Sequence, residues 1–273
     1  MALATILLAA AAASSLGLYF GLSLHTDWVW FWVPIVALFG FFVAGFAAHI
    51  ILLFLGGAFI NPNKKREKVN RFACWLIHNT CFVLLIVLRV KVHAKGLEQL
   101  RGKKGYVLIS NHLSMFDQIV MLAKLPTSRV ICISKPENFS IPVAGKWIAL
   151  AGYLPINRES MVEGASVIEK AKKYLSQGIS VYVCPEGTRA KDHELQAFHN
   201  GTFHLAVDDG NDLVICALRN TWQIKKGIVL FKHNVYAEIL ETIDGEKTKG
   251  QPTEQIAKYS HDKIAEYLAG WLI

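Results

Sequence analysis

The chain has 273 residues, of which 53% are hydrophobic and 18% are charged, and its mean hydropathy is +0.33. It is too apolar for an ordinary soluble domain and too charged for a bundle of membrane-spanning helices alone. Its formal net charge of +8 comes from one segment, because residues 61–104 carry 11 Lys and Arg against two acidic residues. Such a segment favours contact with anionic lipid and argues against a nucleic-acid-binding protein.

The first 60 residues contain two uncharged stretches, at 1–24 and 28–60. Each is longer than the roughly 20 apolar residues that a helix needs to cross a bilayer. The first lacks the basic start of a secretory signal peptide, which favours an uncleaved anchor. The second begins with an aromatic cluster, which is typical of the headgroup level of a membrane. We therefore predict two transmembrane helices within residues 1–60.

A third apolar stretch, residues 72–88, lies between two basic clusters, at 64–71 and 89–95. If it spanned the membrane, one of the clusters would have to cross. A helix lying in the interface keeps both clusters on one side. We therefore predict that residues 61–95 form a basic, helical, membrane-interfacial segment on the cytosolic side.

From residue 96 onward, short apolar runs alternate with helical patterns. The patterns predict strands at 106–110, 130–134, 179–184, 213–218, 228–231 and 234–240, and helices at 161–175 and 252–270. Strands that alternate with helices indicate an α/β fold with a mostly parallel central sheet. We predict one such cytosolic domain, residues 96–273.

A histidine and a carboxylate follow the first of these strands, as His112 and Asp117. On a helix, residues five apart point about 140° away from each other. The two side chains can meet if His112 lies in the loop before the helix, with Asn111 or Ser114 capping its first turn. A carboxylate on one ring nitrogen would let the other nitrogen take a proton from an alcohol. The alternative is a capping Asn, an incidental His and a first-turn Asp.

Further candidate side chains follow the other strands and their loops. They are Lys135, Arg158, Glu186, Gly187, Thr188 and Arg189. The turn at 186–189 can expose backbone N–H groups to an anion, and a guanidinium offers a planar fork to a phosphate. Solvated surface charges and a simple strand-to-loop turn are the alternatives.

The five cysteines show no CxxC spacing and no histidine at metal-ligand offsets. We expect buried thiols in a reducing compartment, without a disulfide or a metal site. A Ser or Cys hydrolase is disfavoured, because the chain has no Gly-x-Ser-x-Gly elbow and Cys184 has no base nearby in sequence.

Taken in order, these blocks resemble the membrane-bound glycerolipid acyltransferases, specifically the 1-acylglycerol-3-phosphate acyltransferases. The similar blocks are Asn-His-x4-Asp at 111–117, Lys-Pro-Glu-Asn-Phe-Ser-Ile-Pro-Val-Ala-Gly at 135–145, Ala-Gly-Tyr-Leu-Pro-Ile-Asn-Arg at 151–158, Pro-Glu-Gly-Thr-Arg at 185–189 and Phe-His-Asn-Gly-Thr-Phe-His at 198–204. The resemblance covers residues 90–225. Cys184 stands where the family usually has Phe, and residues 217–219 replace a block that more often contains Pro.

The resemblance implies roles for these residues. His112 would be the general base on the sn-2 hydroxyl of lysophosphatidic acid, with Asp117 orienting it. The phosphate of the acceptor would be held by a set that resembles the family's: Glu186, Gly187, Thr188, Arg189, Arg158 and Lys135. Acyl-CoA or acyl carrier protein would donate the acyl group to give phosphatidic acid, without a metal or redox cofactor. Such an enzyme would be an integral membrane protein with its catalytic domain on the cytoplasmic face.

Two other readings of the sequence remain. The acceptor could be another lysophospholipid or glycerol 3-phosphate, which the same motifs would serve. Alternatively, the chain could be a non-catalytic membrane protein that binds anionic lipid. Loss of His112 or Asp117 would favour that second reading, and both residues are present.

Overall fold

The computed structural model describes residues 27–62, 64, 66, 68–157, 160–189, 194–225 and 231–270. The chain forms two compact units, Met1–Asn61 and Pro62–Ile273. The first predicted span, residues 1–24, lies outside the described residues, as does Arg158.

The described part of the first unit consists mainly of one long helix, α1 (Asp27–Ala58). Its segment Pro34–Ala58 is 25 residues long and has a mean hydropathy of 2.4. At about 1.5 Å per residue, this segment is longer than the hydrocarbon core of a bilayer, about 30 Å. By length and composition the helix can therefore cross a membrane, in agreement with the span predicted at 28–60.

The second unit is built on a seven-stranded sheet. Its strands are β1 (Val90–Lys95), β2 (Val107–Ser110), β3 (Val130–Ser134), β4 (Leu154–Pro155), β5 (Ser180–Val183), β6 (Leu213–Arg219) and β7 (His233–Ile243). They lie in the order β1-β7-β6-β2-β5-β3-β4. Every neighbouring pair is parallel except β6 and β7. The predicted α/β fold with a mostly parallel sheet is confirmed.

Helices precede, connect and follow the strands of this sheet. They are α2 (Arg71–Val87), α3 (Asp117–Lys124), α4 (Ala144–Ala151), α5 (Met161–Ser176), α6 (His204–Val207), α7 (Gly245–Thr248) and α8 (Thr253–Ala269). Helices α5 and α8 and the strands β2, β3, β5, β6 and β7 were predicted from sequence, and all are observed. The strand predicted at 228–231 lies outside the described residues except for Phe231, which is a bend before β7.

The boundary predicted at residue 96 is too late by at least one strand. Residues 90–95, which were predicted to belong to the interfacial segment, form β1, and this strand pairs in parallel with β7. Helix α2 buries Ala73, Leu76 and Leu85 within the second unit. The apolar side chains of the 72–88 stretch therefore serve in part to pack α2 within the second unit. Whether the exposed side of α2 lies in a membrane interface stays a prediction.

The centre of the sheet is buried, and this positions the candidate site. All four residues of β2 and all four of β5 are buried, as expected for parallel strands covered on both faces. Since β2, β5 and β3 are parallel neighbours, their carboxyl ends meet at one edge of the sheet. The segments that begin at Asn111, Cys184 and Lys135 leave the sheet at this edge.

Candidate active site

His112 and Asp117 meet at the carboxyl edge of the sheet. The His112 Nδ1 atom lies 2.8 Å from Asp117 Oδ2. The contact forms because His112 stands in the loop after β2, whereas Asp117 is the first residue of α3. This is the arrangement that the spacing of the two residues requires. The imidazole is 16% exposed and the carboxylate is fully buried.

The buried Asp117 carboxylate is held by several donors besides the histidine. The Ser114 backbone N–H donates to Oδ2 over 2.8 Å, and the hydroxyl of Thr221 donates to Oδ1. A carboxylate without water needs such partners, because an unpaired buried charge is very costly. Thr221 was not found from the sequence, since it follows β6 and belongs to none of the blocks considered there. Only the tertiary fold brings it to Asp117.

Asn111 connects the histidine loop to the neighbouring strand. Its side-chain amide donates to the carbonyl of Leu218 over 3.0 Å and accepts from the Leu218 N–H over 2.7 Å. Asn111 was considered as a helix cap, but its side chain instead pairs with the backbone of β6. It therefore fixes where the loop that carries His112 leaves the sheet.

Glu186 differs from the expectation that it would contact a phosphate. Its carboxylate is buried, and it accepts from the backbone N–H of His112 over 2.6 Å and of Gln196 over 3.0 Å. Burial raises the pKa of Glu186 to about 7, although these backbone donors oppose the shift. Each carboxylate oxygen already accepts a hydrogen bond from the backbone. The geometry therefore gives Glu186 the role of positioning the main chain of His112.

Four of the other predicted phosphate-binding residues, Gly187, Thr188, Arg189 and Lys135, lie at the same edge of the sheet. Gly187 is buried and adopts a positive φ of 74°, which turns the chain after β5. Thr188 and Arg189 follow it and are exposed, as is Lys135 directly after β3. Strands β5 and β3 are neighbours, so the two groups leave adjacent strand ends. Arg158 follows β4, the next strand along, but lies outside the described residues.

Cys184 is a neighbour of His112 that the sequence analysis did not find. It is buried, and it lies 3.9 Å from the Ser110 hydroxyl. Burial of the His112 ring disfavours its charged form and by itself lowers its pKa. Interactions with Asp117 and Cys184 favour the charged form more strongly, so the pKa of His112 is raised from 6.5 to about 10. Cys184 is thus one of the groups that act on the His112 ring.

This arrangement is suited to moving a proton from a hydroxyl group. The hydrogen bond to Asp117 fixes the orientation of the ring and stabilises its protonated form. A ring with a raised pKa is a strong base once it is neutral, and its other nitrogen can accept a proton. The exposed cations at the same edge can attract an anionic substrate. No group of metal ligands occurs among the described residues.

Comparisons with known proteins identify relatives of the second unit. The acyltransferase family model matches residues 90–219. A chloroplastic 1-acyl-sn-glycerol-3-phosphate acyltransferase of Arabidopsis thaliana is 30% identical over 82% of this chain and 62% of its own length. The enzyme of the same name from Borreliella burgdorferi is 25% identical over 66% of this chain and 72% of its own. The human alpha form is 34% identical over 48% of each chain. The chain thus spans between about half and three quarters of these relatives.

A solved structure shares the fold. The crystal structure of the 1-acyl-sn-glycerophosphate acyltransferase of Thermotoga maritima matches with a TM-score of 0.62 at 20% sequence identity. The match covers 83% of this chain and 92% of that one. At this identity the likeness supports the fold described above, with its long apolar helix and mostly parallel sheet.

Replacing the carboxylate partner of His112 tests the electrostatics of the pair. We expect Asp117→Asn to lower the pKa of His112, because the mutation removes the negative charge that favours the imidazolium. NMR titration of the isotope-labelled imidazole measures the change. The matched control is Asp208→Asn, which removes the ring partner of His204. The control should leave the titration of His112 unchanged. A His112 pKa that is the same in Asp117→Asn as in wild type would contradict the role of the carboxylate.

Glu186→Gln tests the positioning of the His112 main chain. An amide side chain has one acceptor oxygen, so one of the two backbone N–H groups loses its partner. We expect a loss of about 1–3 kcal/mol in the free energy of unfolding. We also expect faster hydrogen exchange at the amide of His112 or Gln196. Glu194→Gln, an exposed change in the same loop, is the control and should alter neither quantity.

Proposed function

We propose that this chain, whose residues 90–219 match the acyltransferase family model, acylates the sn-2 hydroxyl of 1-acylglycerol 3-phosphate to give phosphatidic acid. The observation that carries the proposal is the 2.8 Å contact between His112 and Asp117 at the open edge of the sheet. The names of the relatives from three organisms support the acceptor. The donor is a fatty acyl thioester, either acyl-CoA or acyl carrier protein.

The proposed reaction is a direct transfer with His112 as general base. The neutral ring takes the proton of the acceptor hydroxyl while the hydroxyl oxygen attacks the thioester carbonyl. The carbon–oxygen bond forms, the carbon–sulfur bond breaks, and the leaving thiolate takes the proton from the imidazolium. Asp117 keeps the ring oriented and stabilises its charge during the transfer. The thioester is already activated, so these steps need no metal or redox cofactor.

The phosphate of the acceptor is proposed to lie over the ends of β5, β3 and β4. Arg189, Thr188 and Lys135 are exposed at the first two of these strand ends, and Arg158 follows the third. Gly187 allows the turn that presents backbone N–H groups beside them. Glu186 is not placed among the phosphate contacts, because both its oxygens accept from the backbone. A guanidinium that binds phosphate through two hydrogen bonds is the strongest contact in this set.

We further propose that the second unit works at the cytosolic surface of a membrane. Both the acceptor and the product carry acyl chains, so the reaction belongs next to a bilayer. Helix α1 is long and apolar enough to be the anchor. The cluster of Lys and Arg that follows it favours the cytosolic side and the attraction of anionic lipid.

A second route has support from one observation, the nearness of Cys184 to His112. A cysteine next to a histidine and an aspartate could take the acyl group from the donor before the acceptor does. The described residues leave this thiol buried, and the family usually has Phe at this position. We therefore favour direct transfer, and a variant of Cys184 separates the two routes.

The proposed function is tested by acyl transfer in purified membranes, with lysophosphatidic acid as acceptor and acyl-CoA or acyl carrier protein as donor. We expect wild type to form phosphatidic acid and His112→Ala to lose at least about 10³-fold in rate, because the variant lacks the proposed general base. A lysophospholipid panel and glycerol 3-phosphate, run in the same assay, define the acceptor.

Cys184→Ala is the control in this assay. If transfer is direct, the variant keeps most of its activity, and wild type mixed with donor alone forms no acyl-thioester on the protein. Loss of activity together with a trapped acyl-protein in wild type would instead support the cysteine route. Equal product from wild type and His112→Ala would contradict the assignment of the base.

Arg189→Ala tests the phosphate contact. We expect the acceptor KM to rise by roughly 10- to 100-fold with a smaller change in kcat, because a charge-assisted hydrogen bond to the ground-state phosphate is lost. Steady-state kinetics with varied lysophosphatidic acid give both constants. Arg101→Ala, an exposed arginine of the loop before β2, is the matched control. An unchanged KM for Arg189→Ala would contradict the proposed contact.

A further inference from the structure

A cavity lies at the opposite edge of the sheet from His112. Its volume is about 590 Å³, within the range of small-molecule sites. Ser128 and Arg129 line it just before β3, and Ile179 lines it just before β5. The residues of the candidate active site follow the other ends of these strands. At about 3.3 Å per residue, β5 alone separates the two places by roughly 13 Å.

The wall of this cavity is formed by the segment that precedes α2 and by the first turn of that helix. Lys68, Val69 and Phe72 line the cavity from this side. The segment is fixed to the rest of the unit, because Lys170 donates to the backbone carbonyl of Arg66 over 2.8 Å. Val69 also packs closely against Gly152, where a Cβ atom would come within 3.2 Å of its side chain. The cavity is therefore a built feature of the second unit.

Several cationic side chains line the cavity. Among the described residues that line it, Lys68, Arg71 and Arg129 are cations and none is acidic. The Nε atom of Arg129 is buried and has no hydrogen-bond partner among the described residues. A buried guanidinium nitrogen without a partner is costly. An anion in the cavity would supply the missing acceptor.

The rest of the lining is apolar and aromatic. The rings of Phe72 and Trp75 are stacked with their centroids 5.8 Å apart, and both line the cavity together with Val69 and Ile179. Phe72 is 51% exposed, so apolar surface continues from the cavity to the outside of α2. A free inorganic anion would leave this surface without a partner. A ligand with a phosphate and an apolar part matches both halves of the lining.

We propose that this cavity binds an anionic phospholipid, with the phosphate against Arg129, Arg71 and Lys68 and the glycerol and first acyl carbons against Phe72 and Trp75. It is separate from the candidate active site and does not depend on the proposed reaction. Aromatic rings beside basic side chains are typical of the membrane headgroup level, which is where such a ligand is available. The bound lipid would hold the start of α2 at the bilayer surface.

The test measures binding of short-chain lipids to the full chain in neutral detergent micelles by isothermal titration calorimetry. Dihexanoyl phosphatidylglycerol is the probe, with dihexanoyl phosphatidylcholine and inorganic phosphate as the comparison ligands. We expect wild type to bind the phosphatidylglycerol at least tenfold more tightly than either of the others. Equal affinity for the phosphatidylcholine, or equal affinity for inorganic phosphate, would overturn the proposal.

Variants place the binding in the cavity. We expect Arg129→Gln to weaken phosphatidylglycerol binding by roughly tenfold or more, and Arg129→Lys to restore part of it. If Arg129→Gln fails to fold, the double variant of Lys68→Gln and Arg71→Gln, two exposed positions, should show the same loss. Arg101→Gln has the same change in charge away from the cavity and should bind as wild type does. Arg189→Ala should also keep this binding.

The variants also separate binding in the cavity from binding elsewhere on the protein. Loss of binding in Arg101→Gln as well would mean a general effect of positive charge and overturn the proposal. If Arg189→Ala loses phosphatidylglycerol binding and the cavity variants keep it, the lipid binds at the candidate active site and the cavity proposal is overturned. Failure of acyl transfer with retained phosphatidylglycerol binding would affect only the proposed reaction and leave the cavity proposal standing.

Discussion

The buried carboxylate of Asp117 is the constraint on which the geometry of the site depends. It is fully buried, and its donors come from two separate parts of the chain: the loop between β2 and α3, which carries His112 and Ser114, and the segment after β6, which carries Thr221. Without these donors, burial of the charge would be prohibitive. The need to satisfy one anion therefore determines where His112, Ser114 and Thr221 must lie relative to each other.

A second buried carboxylate completes the support of the same histidine. Asp117 holds the His112 ring, and Glu186 accepts from its backbone N–H. Asn111, the residue before it, pairs with the backbone of Leu218 through both its donor and its acceptor. The ring is fixed by the first residue of α3, the main chain by the segment after β5, and the approach to the loop by the backbone of β6. A proton-transfer group gains from such support, because small displacements of a reacting atom cost large factors in rate.

The sequence predicted much of this arrangement, and the residues it missed share a physical reason. The short apolar runs identified the central strands, and the spacing of His112 and Asp117 indicated that the histidine must precede the helix. Thr221 and the closeness of Cys184 to His112 were not predicted. They depend on β6 and β5 lying on either side of β2, and this strand order leaves no local pattern in the sequence. Likewise, β1 was assigned to the interfacial segment because its alternating Lys and His side chains hide the pairing with β7.

The raised pKa of His112 has two opposite effects on a general base. Asp117 stabilises the imidazolium, so less of the free protein carries the neutral ring near pH 7. The same interaction makes the neutral ring a stronger base toward a hydroxyl, whose own proton is very weakly acidic. The carboxylate therefore reduces the population of the active form and increases its reactivity. A hydroxyl acceptor gains from the stronger base, because the barrier to its reaction lies in removal of the proton. A thiol such as Cys184 would gain less from it.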